Sequence, residues 1–130
     1  MAPKFMSREW IRLVGIQWNT HPEIQRDLQR FDATWEYYIS DRPDIPRVMM
    51  FCKGGKVIFS GPSDGRARDF IMGATLDNWK KILRGEIKGK AALLTRKLTF
   101  QGSLMTALKY SKPFEIHLNI LGEIPVDFEI

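Results

Sequence analysis

Residues 75–110, TLDNWKKILRGEIKGKAALLTRKLTFQGSLMTALKY, decide the fold because their pattern predicts three linked elements whose apolar residues all face one interior. The first element is predicted to be a helix, with Thr75 as its N-cap and Gly85 at its end. Helical spacing of the apolar residues supports this prediction, and these residues are Leu76, Trp79, Ile82 and Leu83. No side chain in the stretch has the setting of a catalytic acid, base or nucleophile. The stretch is instead typical of the lining of an apolar interior.

The other two elements follow Gly89, which is predicted to form a short turn before an Ala/Leu-rich segment. Residues 97–101 alternate polar and apolar side chains, a pattern that predicts a half-buried strand. Gly102 and Ser103 then begin a second amphipathic segment, predicted to be helical. Its apolar residues Leu104, Met105 and Leu108 share one face.

The order of these elements resembles the sterol carrier protein family, a family of small lipid-binding domains often called sterol-transfer domains. Family members have an aromatic residue in a short helix, followed by a Leu/Ile pair and Gly. The counterparts here are Trp79, residues 82–83 and Gly85. About a dozen residues later, the family has a Lys-Leu strand that ends in Gly and an Ala/Met/Leu-rich helix. Lys97, Leu98, Gly102 and residues 104–110 follow in the same order.

The resemblance covers roughly the last two-thirds of the chain and is best between residues 69 and 110. Two positions depart from the family pattern, since Arg96 stands where the family usually has Gly and Gly89 stands near its usual Pro. The resemblance implies an α+β fold in which a sheet and helices enclose an apolar cavity. It also implies binding and transfer of a lipid.

The chain is long enough for one domain with a sizeable core, because it has 130 residues, a 44% hydrophobic fraction and four Trp. We expect a single lipid-binding domain over residues 1–130, with a helical extension at 1–32 and a C-terminal segment at 113–130. A lone Cys52 in an apolar strand favours a reducing cytoplasm. No apolar run reaches the roughly 18 residues that cross a bilayer, and neither a signal peptide nor a peroxisomal tripeptide is expected.

The first third of the chain is predicted to form two helices. Trp10, Val14 and Trp18 recur at i, i+4 and i+8 and give the first helix one apolar stripe. Thr20 and Glu23 have the spacing of a capping box at the start of the second helix. We expect both helices to pack on the sheet, with docking of a partner as the alternative. The apolar stripe of the second helix consists of Ile24, Leu28 and Phe31.

The middle third is predicted to form a meander of strands with alternating side chains. Gly54 and Gly55 make a two-residue hairpin turn, since both glycines adopt positive φ without strain. The fold class is therefore α+β, a mostly antiparallel sheet of about five strands with helices packed on one face. The predicted strands are residues 34–39, 47–53, 56–60, 70–72 and 97–101.

The segment after Pro113 fits two patterns. Residues 114–120 alternate apolar and polar side chains, which predicts a strand. Phe114, Leu118 and Leu121 also fit one face of a helix, and the family usually closes its cavity with a C-terminal helix. We predict a strand from the alternation.

Residues of catalytic or metal-binding type are few. His21, His117 and Cys52 have neither the spacing of metal ligands nor that of a nucleophile with its base. Residues 53–56, KGGK, lack the spacing of a phosphate-binding loop and fit a hairpin. We therefore expect no catalytic residue, no metal and no cofactor, and predict that the protein is not an enzyme.

An apolar cavity between the sheet and its helices is the remaining candidate site. Periodicity alone does not separate such a cavity from a packed core, and the family resemblance favours the cavity. Each buried CH₂ is worth about 0.8 kcal/mol, so a long acyl or isoprenoid chain needs few polar contacts. The predicted ligand-binding residues are Trp35, Tyr37, Met50, Phe59, Met72 and Phe100 in the sheet, and Trp79, Leu83, Leu104, Met105 and Leu108 in the helices.

The net charge of +5 is unevenly placed. Residues 80–112 carry nine Lys/Arg against one acid, whereas residues 113–130 carry four acids and no Lys or Arg. Such a basic zone is typical of transient contact with an anionic membrane or an acidic partner, and the alternative is a solubilising face. The predicted membrane-contact residues are Lys80, Lys81, Arg84, Lys109 and Lys112.

The predicted function is non-catalytic binding and transfer of fatty-acyl, sterol-like or isoprenoid lipids. The first alternative is an accessory module of an enzyme system that acts on hydrophobic substrates. The second alternative is a nucleic-acid-binding module, which the basic pI of about 9.5 permits. Because the aromatic residues lie on apolar faces rather than among the basic ones, we expect no nucleic-acid partner.

Overall fold

The computed structural model describes residues 2–130, apart from the side chains of Leu104, Ala107 and Leu108. Helices and strands alternate in blocks, which confirms the predicted α+β class. The helices are α1 (Arg8–Thr20), α2 (Pro22–Asp27), α3 (Leu76–Leu83), α4 (Gly89–Leu94), α5 (Leu104–Lys109) and α6 (Ser111–Glu123). The strands are β1 (Ala33–Ile39), β2 (Val48–Lys53), β3 (Lys56–Pro62), β4 (Phe70–Ala74) and β5 (Thr99–Gln101).

The strands form one five-stranded sheet in the order β3-β2-β1-β4-β5. Neighbouring strands are antiparallel except for β1 and β4, which run parallel. The parallel pair arises because the β2–β3 hairpin folds back on one side of β1, and the chain then returns to its other side. The predicted sheet of about five mostly antiparallel strands is thus confirmed.

Helix α1 packs on the sheet through the apolar stripe that the sequence predicts. Trp10, Val14 and Trp18 have no exposed surface, and the rings of Trp10 and Tyr37 lie 6.3 Å apart in an edge-to-face arrangement. A Cβ added at Gly15 would lie 3.1 Å from the Val57 side chain, so α1 and β3 are in close contact. The helices therefore cover the face of the sheet that carries Tyr37.

The C-terminal segment corrects the predicted strand, because residues 111–123 form α6. Phe114, Leu118 and Leu121 are buried together, at the spacing of a helical face. Ile116 remains half-buried, whereas a strand would have placed it with Phe114 and Leu118. Both periods fit this short segment, and packing of the helix against the sheet and α3 selects one of them.

The opposite face of the sheet is covered by arginine side chains rather than by helices. Glu36 of β1 points to this face and is 1% exposed. It accepts hydrogen bonds from Arg47 at 2.9 Å, Arg68 at 3.0 Å and the Ser63 hydroxyl at 2.8 Å. The charged residue of an alternating strand is therefore buried beneath its own ion pairs.

Local signals in the sequence set several ends and turns. The Thr75 side chain accepts a hydrogen bond from the Asn78 amide at 3.1 Å, which confirms the predicted cap of α3. Beyond the end of that helix, Gly85 adopts φ +77°. Gly54 and Gly55 adopt φ +60° and +79°, which confirms the predicted hairpin turn between β2 and β3.

Other local predictions were wrong. Thr20 is the last residue of α1, and its hydroxyl donates to Gln17 O at 2.9 Å instead of capping α2. His21 is the N-cap of α2, without a side-chain hydrogen bond. Phe31 lies beyond the end of α2, and Gly89 begins α4 instead of forming a turn. The fifth strand is also shorter than the predicted range of 97–101, since β5 begins at Thr99.

Candidate functional site

Most of the sheet residues predicted to bind ligand lie on the helix-covered face. Trp35 pairs with Met50, Tyr37 pairs with Met72, and Met72 pairs with Phe100, so the five side chains point to the same side. Tyr37, Met50 and Met72 have no exposed surface. Phe100 is half-buried.

Phe59 and Met105 occupy different surroundings from those expected. Phe59 pairs with Phe51 on the opposite face of the sheet and is 37% exposed. The Arg66 guanidinium lies 4.9 Å from its ring centroid. Met105 of α5 is 82% exposed, so its side chain does not face the interior. Leu104 and Leu108, predicted on the same face, have side chains outside the described part of the structure.

Trp79 and Leu83 face the interior from α3, but they lie outside the pocket described below. The Trp79 indole donates to Tyr38 O at 2.9 Å, and its ring lies 5.9 Å from that of Phe5. Leu83 packs against α6, where a Cβ at Gly122 would overlap the Leu83 backbone. Both residues therefore join α3 to the core.

An apolar pocket of about 20 Å³ lies where β1, β4 and β5 meet α5 and α6. Its walls are mainly aromatic, and Trp35 and Phe70 stack with ring centroids 4.5 Å apart. Phe31 closes one side and stacks on Phe70 at 6.1 Å. Of the predicted ligand-binding residues, Trp35 and Phe100 line this pocket. Six further ring-bearing lining residues were not predicted, although their aromatic character was the available signal: Trp18, Phe31, Phe70, Tyr110, Phe114 and His117.

A polar pocket of about 250 Å³ adjoins the apolar one and shares Phe31, Phe70 and Thr106 with it. Asp32 and Asp69 line this outer pocket, and both are exposed. Their carboxylates accept hydrogen bonds from the Gly54 amide at 2.7 Å and the Thr34 amide at 2.8 Å, respectively. The polar pocket therefore lies directly beside the apolar one, which is itself partly open to solvent, and we call it the acidic mouth.

A buried polar pair lies behind the apolar pocket. Tyr37 Oη and His117 Nε2 are 2.5 Å apart. Burial raises the pKa of Tyr37 well above its usual value, with a smaller effect from Cys52. Burial also lowers the pKa of His117 to about 3, so its imidazole is neutral. His117 is an aromatic neighbour of Trp35 at 4.6 Å, a position that the predicted strand could not have revealed.

Cys52 lies in an environment that suppresses the reactivity of its thiol. Cys52 has no exposed surface, and burial, aided by the charge of Asp32, raises its pKa to about 12. A thiol with such a pKa is a poor nucleophile at neutral pH. Within residues 2–130, no three His, Cys, Asp or Glu side chains come together as a metal site.

The predicted membrane-contact residues in and just after α3 contact neighbouring side chains. Lys80 Nζ and Arg84 Cζ lie 5.7 Å and 5.8 Å from the ring centroid of Phe128. Lys81 forms an ion pair with Asp77 at 3.3 Å. Their charges nevertheless remain at the surface, because Arg84 is exposed and both lysines are half-exposed.

The other two predicted contact residues flank the apolar pocket. Lys109 Nζ lies 5.5 Å from the ring centroid of Tyr110, which lines that pocket. Lys112 pairs with Glu23 at 3.4 Å. No helix within residues 2–130 is both long and apolar enough to cross a bilayer.

The SCP-2 sterol transfer family matches residues 16–115, which is most of the chain. The protein therefore belongs to the SCP-2 sterol transfer family, as the resemblance of residues 75–110 implies. A search of curated proteins gives no match.

Solved structures of sterol carrier proteins share this fold. A crystal structure of sterol carrier protein 2 superposes with a TM-score of 0.80 at 16% identity, covering 93% of this chain and 99% of the other. A conserved hypothetical protein of Thermus thermophilus, suggested to be a sterol carrier protein, gives 0.79 at 15% identity, covering 95% and 92%. The ubiquinone synthesis protein UbiJ-SCP2 is more distant, with 0.56 at 11% identity, covering 85% and 90%.

Proposed function

We propose that the protein reversibly binds fatty-acyl, sterol-like or isoprenoid lipids and transfers them without chemical change. The observation that carries the proposal is an aromatic pocket open to solvent, in a chain of the SCP-2 sterol transfer family. Aromatic side chains offer large apolar surfaces, and each ligand CH₂ buried against them contributes about 0.8 kcal/mol.

The ligand enters from the acidic mouth and enlarges the pocket as it binds. At about 20 Å³ the pocket holds one water-sized group, so a hydrocarbon chain must separate its walls. Thr106 of α5 lines both pockets and is therefore at the point of entry. A longer ligand reaches past Trp35 toward Tyr37, Met50 and Met72, which we propose as its deeper contacts.

Filling the entry with a ring tests this site. Thr106→Phe should lower the affinity for a fluorescent acyl chain, sterol and isoprenoid at least tenfold, because the ring occupies the ligand's volume. Thr99→Phe is the matched control, since Thr99 is exposed and pairs with Gly73 on the other side of the sheet. Mass spectrometry of ligand extracted from the purified protein gives its class. Equal affinities for the two variants, both folded by circular dichroism, would place the site elsewhere.

A second candidate function is that of an accessory protein for an enzyme that acts on a hydrophobic substrate. The UbiJ-SCP2 protein, which shares the fold, is described as a ubiquinone synthesis protein. In this case the pocket presents a hydrophobic substrate to a partner enzyme. The basic residues predicted to contact membranes bind that enzyme instead. Affinity purification of the tagged protein, with an enzyme of lipid metabolism retained at low salt and lost at high salt, would support it.

A further inference from the structure

Two residues that line the apolar pocket, Trp35 and His117, each have a buried ring nitrogen without a hydrogen-bond partner among the described residues: Trp35 Nε1 and His117 Nδ1. Trp35 is 6% exposed and His117 is 1% exposed. Their rings meet nearly at right angles, at 83° and with centroids 4.6 Å apart. Most buried polar groups in proteins are paired, so two unpaired ones in a single pocket call for a ligand or water.

The indole N–H groups of two other tryptophans do have hydrogen-bond acceptors in this fold. Trp18 Nε1 donates to Gly55 O at 2.9 Å, and Trp79 Nε1 donates to Tyr38 O at 2.9 Å. Trp10 Nε1 and His21 Nδ1 also have no partner within the described residues, but neither residue lines the pocket. Trp10 therefore serves as an internal comparison for Trp35.

The Tyr37 hydroxyl decides which nitrogen of His117 carries the proton. Tyr37 is fully buried, and its described hydrogen bond is to His117 Nε2. A buried hydroxyl needs an acceptor for its hydrogen, so Nε2 accepts and the proton of the neutral ring resides on Nδ1. Two residues of the pocket wall, Trp35 and His117, accordingly each carry an N–H donor without an acceptor among the described residues.

The charges around the pocket exclude an anionic acceptor. Neither Lys nor Arg is among its described lining residues, and the carboxylates of Asp32 and Asp69 lie at its mouth. A buried carboxylate or phosphate without a cation is strongly unfavourable. A volume of about 20 Å³ does accommodate a single neutral oxygen.

We propose that the pocket selects amphiphiles with an uncharged acceptor oxygen, an alcohol or a carbonyl, held by Trp35 Nε1–H and His117 Nδ1–H. This inference rests on the proposed function, because it adds a polar anchor to the same apolar site. The preferred ligands are then long-chain alcohols and ketones, together with hydroxylated or keto isoprenoids and sterols. Free fatty acids are poor ligands.

A ligand series of one chain length tests the anchor in the full-length protein. Binding of 1-decanol, 2-decanone, decanoate and decane is measured at pH 8 by displacement of a fluorescent acyl probe. Trp35→Phe keeps a ring and removes the donor, and should weaken decanol and decanone binding about three- to tenfold while decane changes less than twofold. His117→Leu provides a second variant, and Trp10→Phe is the control for an unpartnered indole outside the pocket.

The indole N–H signals in a ¹⁵N–¹H NMR spectrum give a readout independent of affinity. The Trp35 signal, assigned by its loss in Trp35→Phe, should move downfield with decanol and not with decane. Equal losses for decanol and decane in Trp35→Phe, or decanoate binding tighter than decanol, would overturn the inference. Failure of every compound to bind, decane included, would instead overturn the proposed function.

Discussion

Tyr37 Oη and His117 Nε2 lie 2.5 Å apart and join the middle of the sheet to α6, across 80 residues of sequence. Both side chains are buried, so bulk water does not compete for this hydrogen bond. The pair fixes α6 over the sheet, and the bond to Nε2 leaves the proton of the neutral imidazole on Nδ1.

Acid should destabilise the protein before its carboxylates titrate. Folded His117 takes up a proton only near its lowered pKa of about 3, whereas in the unfolded chain this happens near pH 6.5. Between these values the unfolded state binds more protons, so the free energy of unfolding falls as the pH falls. From pH 7 to pH 5 the expected loss is about 2 kcal/mol, measured by urea denaturation. The double variant Tyr37→Phe, His117→Phe should lack this loss, and an unchanged slope would assign it to other groups.

Glu36→Gln should destabilise the sheet. Burial alone would raise the pKa of Glu36, but hydrogen bonds from Arg47 and Ser63 and the charge of Arg68 hold it below its usual value. A neutral amide loses the charged hydrogen bonds, at an expected cost of about 1–3 kcal/mol in the free energy of unfolding. Glu9→Gln removes an exposed ion pair with Arg12 and should leave the denaturation midpoint unchanged. Equal effects of the two substitutions would contradict a special role for burial.

Gly73→Ala should also be destabilising, because a Cβ there would overlap the ring of Tyr38. Moving the ring away would disturb its contact with the Arg47 guanidinium, which lies 4.1 Å from its centroid. We expect a loss of about 1–3 kcal/mol, typical of overpacking. Gly61→Ala is the control, because its Cβ would lie 3.4 Å from Phe59, an ordinary contact. In a Tyr38→Ala background the cost of Gly73→Ala should vanish, and its persistence would point to backbone strain.

Charge reversal at Lys80, Lys81 and Arg84 tests delivery to membranes. Each basic residue near an anionic bilayer contributes about 1 kcal/mol, an attraction that fades within a Debye length. The triple reversal to Glu should slow lipid transfer to anionic vesicles several-fold and leave ligand affinity in solution intact. Reversal at Lys53 and Lys56, exposed beside the β2–β3 turn, is the control. Transfer rates that are insensitive to both the reversal and salt would show that the basic residues only keep the protein dissolved.

Sequence patterns predicted most elements correctly where one local interaction decides the conformation. The Thr75 cap needs only the Asn78 amide three residues away, and the β2–β3 turn needs only Gly54 and Gly55. The capping box at Thr20 failed because α1 extends through this residue and ends one residue before His21, the N-cap of α2. The Thr20 hydroxyl therefore donates to the Gln17 carbonyl of α1 instead of capping α2.

In residues 113–130, the periodicity of apolar residues does not decide between a strand and a helix. The alternation at 114–120 and the helical face of Phe114, Leu118 and Leu121 have similar local support. Contacts with distant residues decide between the two conformations, and the bond between His117 and Tyr37 is one of them. The conformation of such a short segment depends on the surface that it packs against more than on its own pattern of apolar residues.

The sequence by itself determined the family, the five-stranded α+β sheet and the face that its helices cover, because periodic apolar residues and caps act over a few positions. Only the tertiary structure decided the pocket. Phe31, Phe70 and Phe114 come from three separate parts of the chain, and no local pattern relates them. The same holds for the unpaired nitrogens of Trp35 and His117, since whether a polar atom has a partner depends on everything packed around it.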